Sequence, residues 1–180
     1  MSINTKISIL GTGNLGQAIA KGLLKSGKYN PANITLTRRK IGRIDYFRKD
    51  GFTVQKDNHS AVRNSQVIIL AVEPQQLNAL LDEIHNDIDT DKHILISVIT
   101  GATIQQIQNR LLKQVTVVRA MPNTAIAIGE SMTCLAAEAK QETALKISGH
   151  IFDTVGKTLI IDEENMTAAT ALGACGIAFY

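Results

Sequence analysis

Cysteine is scarce in this chain, and so is an excess of charge of either sign. The two cysteines among 180 residues, Cys134 and Cys175, have no CxxC or CxxxH partner. That spacing indicates neither a disulfide framework nor a zinc site, no metal site is expected, and a reducing, cytoplasmic setting fits. Lys and Arg total 19 against 16 Asp and Glu, a formal net charge of +3, with no long basic block and no interleaving of aromatic with basic residues. Nucleic acid is therefore not the expected partner. No apolar stretch approaches the length of a membrane span, and the N-terminal MSINTKISIL carries only a short apolar run without a small-residue cleavage site. Internal repeats, low-complexity tracts and Ser/Gly-rich linkers are missing too. What remains is a chain with 44% hydrophobic residues, long enough to bury a sizeable core, for which one main domain is the leading expectation.

Short apolar runs alternate with longer amphipathic segments. Strands are expected at Ile7 to Leu10, Ile34 to Thr37, Phe52 to Val54, Val67 to Val72, Ile94 to Ile99 and Val115 to Arg119. Several are unbroken runs of β-branched residues, as in a sheet covered on both faces. Helical patterns fall between them at Leu15 to Lys25, Gln75 to His85 and Thr103 to Leu112, and this alternation predicts βαβ units wound into a mostly parallel sheet. After Arg119 the character changes. MPNTAIAIG reads as a loop, SMTCLA and KTLII as two further strands around a helix from about Lys140 to Thr154, and Asn165 to Tyr180 as helical. The last helix has no stop signal before Tyr180, which suggests one piece of a longer polypeptide.

The segment ISILGTGNLGQAIAKGLLKSG carries the most specific local pattern. Gly11, Gly13 and Gly16 follow a strand and open a helix, the context that a dinucleotide fingerprint requires. Gly11 serves the tight turn, Gly13 leaves room for a pyrophosphate, and Gly16 lets helix and strand pack closely, while the helix start offers free N–H groups to an anion. About 20 residues further on, where an NAD-binding unit places Asp or Glu against the ribose 2'-hydroxyl, this chain reads ITLTRRK, with Thr37, Arg38, Arg39 and Lys40. A carboxylate there would repel a 2'-phosphate, whereas a guanidinium can hold it through charge-assisted hydrogen bonds. The pattern favours NADP, with Arg38 as the first choice because it lies nearer the strand end. A solvated basic loop is the alternative.

Asn58 and the segments ILAVEPQQL and ISVITGAT mark other loops at the C-terminal ends of strands, where open α/β sheets bind ligands. Pro74 fits the first position of the following helix. Asn58, Ser97 and Thr100 taken singly read best as caps of helices or turns.

Together GTGNLGQAIAKGL, ILAVEPQQL, VVRAMPNTAIAIGES and VGKTLIIDEENMTAATAL resemble pyrroline-5-carboxylate reductase, in order and without large gaps from Ile7 to Phe179. Arg119 to Thr124, RAMPNT, is the most discriminating piece. The resemblance implies a Rossmann-like, doubly wound α/β domain over residues 1–162 that binds NADP(H), with NAD(H) also admitted. It implies the beginning of a C-terminal all-helical dimerisation domain at 163–180, and a homodimer or larger ring whose substrate sites lie at the dimer interface. The implied reaction reduces 1-pyrroline-5-carboxylate, a cyclic imino acid, to L-proline by hydride transfer to the C=N carbon. Carried over by position, Gly11, Thr12, Gly13, Asn14, Leu15, Gly16 and Arg38 would hold the phosphates, and Asn58, Ala71, Val72 and Pro74 would line the adenosine side. Thr100, Met121, Pro122 and Asn123 would lie near the nicotinamide. Glu163 and Thr170 match recurrent residues around the last helix, as candidates for a substrate role or as capping and packing residues.

Three departures from that pattern stand out. Ala71-Val72-Glu73-Pro74 replaces the family's AVKP, so that Glu73 puts an anion near the cofactor; residues 174–179 read ACGIAF where the family has GSGPAY; and the remaining helical domain with its substrate loop would lie beyond Tyr180. Two other functions stay open on sequence alone. One is a reductase-like NADP-binding regulatory protein without catalysis, and the other a different NADP-dependent oxidoreductase, such as one acting on a deazaflavin, against which the MPNTA segment speaks.

Overall fold

The computed structural model describes residues 4–175. Eight strands form one sheet in the order β3-β2-β1-β4-β5-β6-β7-β8. They are β1 (Ile7–Leu10), β2 (Ile34–Thr37), β3 (Thr53–Gln55), β4 (Val67–Leu70), β5 (Ile94–Ser97), β6 (Thr116–Pro122), β7 (Ser131–Ala137) and β8 (Gly156–Ile160). The helices are α1 (Asn14–Ser26), α2 (Asn58–Arg63), α3 (Leu77–Ile84), α4 (Ile104–Leu111), α5 (Glu142–Phe152) and α6 (Met166–Thr170), the last running into a π turn over Ala171–Cys175. Residues 176–180, which hold the end of the expected last helix and of the ACGIAF segment, lie outside the described residues.

The sheet is parallel except where β7 runs against β6. The reason is the length of the connection. Parallel neighbours need a crossover, which helices supply, or between β2 and β3 the 3-10 turns at Ile41–Arg43 and Asp45–Asp50; only Asn123 to Glu130 separates β6 from β7, and so short a link returns the chain antiparallel. The crossover through α5 then lets β8 pair parallel with β7.

Unbroken apolar strands follow from burial on both faces. In β1, Ile7 and Ile9 join the core that also takes Ile19 and Leu23 of α1, whereas Leu10 turns into the core built from α2, α3 and α4. In β4, Val67 and Ile69 face the first side, and Ile68 and Leu70 the second. Helices cover both surfaces, so the period-2 contrast of a half-exposed strand disappears.

The expected elements recur with shifted ends. β4 and β5 stop at Leu70 and Ser97, short of Val72 and Ile99, and β6 runs on to Pro122, so Met121 and Pro122 are strand residues and not loop. The rest of the expected loop contains a 3-10 turn at Thr124–Ile128. The short α2 was not among the expected helices. Its cap is Asp57, whose carboxylate accepts from the Ser60 N–H at 3.1 Å, and Thr103 with Gln106 forms a capping box on α4. Asn58 and Thr100 are therefore not the helix caps here; Ser97 Oγ accepts from the Ile99 N–H at 3.4 Å in a local turn.

Helix α1 lies close to the turn before β8. An added Cβ on Gly22 would run into the Val155 side chain and come within 3.2 Å of the Thr154 carbonyl oxygen. Gly22→Ala is expected to destabilise the fold by about 1–3 kcal/mol, the usual cost of overpacking, despite the better helix propensity of alanine. Urea denaturation measures it.

Candidate dinucleotide site

Parallel register places the ends of β1 to β5 in one row, level with Arg119 of β6, which runs on to Pro122. Leu10 pairs with both Thr37 and Leu70, Thr37 with Gln55, Leu70 with Ser97, and Ser97 with Arg119. The chain winds outward from β1 through β2 to β3 and then crosses to β4 on the other side of β1. The crevice between the oppositely wound halves therefore opens above β1 and β4, the place where such sheets bind ligands.

The glycine turn sits at that opening. Gly11 has φ +82°, and an added Cβ would meet Val72, whose backbone N and Cα would be only 3.0 Å away. Conformation and crowding both require glycine there. At Gly13 an added Cβ would find nothing nearer than the Gly11 carbonyl oxygen at 3.8 Å, so the space above it is open. At Gly16 it would be 3.1 Å from Ile9 Cγ2, which explains the close fit of α1 onto β1. Thr12 is fully buried, its N–H donating to the Thr37 carbonyl (2.8 Å) and its hydroxyl to the Ile9 carbonyl (3.1 Å), while Asn14 is exposed and Leu15 half-buried.

Two sources of positive potential converge on this turn. Helix α1 has no side-chain cap and no acid in its first turn, so its first N–H groups and the positive end of its dipole face outward. Arg38, half-buried, reaches across and donates from Nη1 to the Thr12 carbonyl at 2.9 Å. A cation at a helix N-terminus opposes the dipole. No carboxylate among the described residues pairs with Arg38, so the arrangement suits an anion arriving from outside. Arg39 and Lys40 are exposed.

Thr37 and Asn58 extend the turn sideways. The Gly11 N–H donates to Thr37 Oγ1 at 3.4 Å, and that hydroxyl donates to Asn58 Oδ1 at 2.7 Å. Asn58 Nδ2 in turn donates to both carboxylate oxygens of Glu83 on α3, at 3.2 and 3.1 Å. Glu83 carries no sequence signal, because it sits on the polar face of an amphipathic helix, where a solvated acid is ordinary. Across β1, Ala71 continues the ladder by donating to the Leu10 carbonyl (2.9 Å), Val72 backs Gly11, and Pro74 opens a 3-10 turn leading into α3. Glu73 is exposed, with its carboxylate accepting from Gln75 Nε2 at 2.6 Å.

The second half of the predicted set lies further along the same edge. Thr100 is exposed after β5 and directs its hydroxyl at Met121 Sδ, 3.9 Å away. Asn123 folds its side chain back onto the Ala125 N–H (3.2 Å), and its own N–H donates to Ser131 Oγ at 3.2 Å. An open groove of about 520 Å³ between α3 and α4 begins at Pro74 and Thr100.

Glu163 and Thr170 are both engaged in internal contacts. Glu163 Oε1 accepts from Ile104 N–H at 2.8 Å, at the start of α4, and from Arg119 Nη1 at 3.2 Å. Thr170 donates to the Met166 carbonyl one turn back, at 2.7 Å. The signal available for Arg119 is that an arginine inside an apolar strand must find a partner when buried; nothing in its spacing says that the partner is Glu163.

A chain so built belongs to the NADP oxidoreductase, coenzyme F420-dependent, family, which matches residues 6–101. The resemblance that the motifs carry is shown along nearly the whole chain. It is 42% identical to pyrroline-5-carboxylate reductase 1 of Dictyostelium discoideum over 97% of its own length and 34% of that protein. With the pyrroline-5-carboxylate reductase of Methanosarcina acetivorans it shares 36% identity over 98% of its length and 66% of the relative. Among solved structures, a pyrroline-5-carboxylate reductase from Coxiella burnetii superposes with a TM-score of 0.92 at 29% identity, covering 98% of this chain and 66% of that one. The Plasmodium falciparum pyrroline carboxylate reductase, solved with NADP bound, shares the fold at a TM-score of 0.87 and 24% identity, over 99% of this chain and 66% of that one. The chain thus spans between about a third and two thirds of the length of these relatives.

Removing the Glu163 carboxylate strands a buried guanidinium and a helix N–H. Glu163→Ala is expected to cost about 3 kcal/mol, the lower end for a broken buried pair, because the glutamate side chain keeps 31% of its exposure. Glu163→Ala with Arg119→Met should recover most of the loss in the same denaturant titration.

Proposed function

We propose that this chain is the nucleotide-binding part of an NADPH-dependent reductase that converts 1-pyrroline-5-carboxylate to L-proline. The observation that carries the cofactor reading is Arg38 lying on the Thr12 carbonyl beside an uncapped, acid-free helix start. The substrate reading rests on the names of the relatives at 42% and 36% identity. When bound, NADPH supplies the hydride that reduces the imine carbon.

In this reading the residues divide the work along the crevice. The N–H groups from Gly13 to Gly16 hold the pyrophosphate, and Arg38, with Thr37 beside it, takes the 2'-phosphate. Asn58, Ala71, Val72 and Pro74 line the adenosine side, while Glu73 and Arg39 stand at its rim. Thr100 with Met121, Pro122 and Asn123 confines the nicotinamide end and limits the water around it. Glu163 acts as a positioning residue that holds the start of α4, and Thr170 packs its helix. Residues 1–162 form the Rossmann-like domain, and 163–180 begin a helical dimerisation domain. Leu159 at 53% and Leu172 at 76% exposure support such a covering. A homodimer or larger assembly completes the substrate site, and a cytoplasmic setting keeps the free Cys134 thiol reduced. No helix among the described residues is long and apolar enough to cross a membrane.

Two measurements test this. The full-length gene product should oxidise NADPH when given pyrroline-5-carboxylate; NADPH binding without turnover would favour the regulatory, nucleotide-binding alternative. Arg38→Ala should weaken NADPH binding roughly 10- to 100-fold, the worth of a lost charge-assisted hydrogen bond, and leave NADH binding nearly unchanged. An equal loss for both cofactors would remove the 2'-phosphate role.

A further inference from the structure

The acids of α3 and of the turn after it divide into two kinds. Asp82 pairs with Arg110, whose Nε donates to it at 2.6 Å, and Asp87 is held by both His59 Nδ1 and Arg63 Nη1, each at 2.6 Å. Glu83 lies between them and has no cation within salt-bridge distance among the described residues. Its partner is instead a neutral amide, Asn58 Nδ2, which addresses both carboxylate oxygens.

Donor and acceptor arithmetic gives that contact a direction. An ionised carboxylate only accepts, so the amide nitrogen of Asn58 must face α3 and its oxygen must face β2. The Thr37 hydroxyl, met by a carbonyl oxygen, must then donate its one hydrogen to Asn58. Its lone pairs are left for the Gly11 N–H. With the amide turned around, a carbonyl would oppose the carboxylate and Thr37 would lose its acceptor. Asn58 Oδ1, used only by Thr37 among the described residues, keeps a second lone pair for a ribose hydroxyl.

We propose that Glu83 is a positioning residue for the adenosine end of the nucleotide site: through Asn58 it sets the polarity of the Thr37 hydroxyl and so fixes the Gly11 turn. This rests on the dinucleotide reading given above. Glu83 touches no part of the nucleotide itself. It determines which atom Asn58 presents, and it does so from the exposed face of a helix, where its removal leaves the core intact.

Glu83→Leu and Glu83→Gln in the full-length protein separate this role from a structural one. The probes are adenosine 2',5'-bisphosphate, which carries the adenosine and the 2'-phosphate without nicotinamide, and NADPH, each titrated calorimetrically alongside the thermal midpoint of the unliganded protein. Glu83→Leu should weaken both ligands by the same factor, roughly three- to tenfold, the worth of one hydrogen bond, with the midpoint unchanged. Glu83→Gln, whose side-chain carbonyl can still accept from Asn58, should restore binding to within about twofold. Unchanged affinity in Glu83→Leu, or an affinity loss that tracks a fall in midpoint in both variants, would overturn the positioning role while leaving the nucleotide site in place. Failure of the unaltered protein to bind either probe would overturn the nucleotide reading, and the relay with it.

Discussion

Parallel pairing of β1 with both β2 and β4 is the constraint on which the rest depends. It demands crossovers, and so supplies the helices that cover both faces. It brings five strand ends to one edge, and because the chain winds away from β1 in both directions, no crossover closes the gap above it. The glycine turn occupies that gap as the first segment to leave the sheet. Val72 then crowds Gly11 from across the opening, so the fold and the floor of the site are held by the same contact.

The electrostatics of the site follow from what the turn lacks. A helix start usually receives a capping side chain or an acid; α1 has neither, and the nearest strong charge is a guanidinium. The acids that might have answered Arg38 sit on the α2–α3 side instead, where Asp82 and Asp87 pair with cations. Positive potential is thus kept at the glycine turn, and negative charge lies to one side of it. Glu73, the acid where the family has a lysine, bonds to Gln75 and faces solvent.

Much of this was legible in the sequence, for stated reasons. β1, β2 and α1 fall almost where the pattern put them, because burial on both faces writes continuous apolar runs and the Gly11, Gly13 and Gly16 spacing has a mechanical cause at each position. The strand ends were less legible: Pro122 reads as a stop, yet it closes β6 opposite Thr133 of β7. Helix α2 is only six residues long, too short to show a period. Glu83 and the Arg119–Glu163 pair were out of reach, since contacts spanning 25 and 44 residues depend on how helices are set against the sheet and leave no local signature.

The single antiparallel pair has a kinetic meaning. Closing β6 onto β7 requires only the short segment from Asn123 to Glu130 to loop back, whereas Ile7 must wait for Val67, 60 residues later, before β1 and β4 can join. Loop-closure entropy favours the first event. The hairpin can therefore gather early at one end of the sheet, while the seam above which the glycine turn lies zips up from contacts distant in sequence. The β1–β4 seam, the pairing with the widest sequence separation in the sheet, is therefore the costliest one to close.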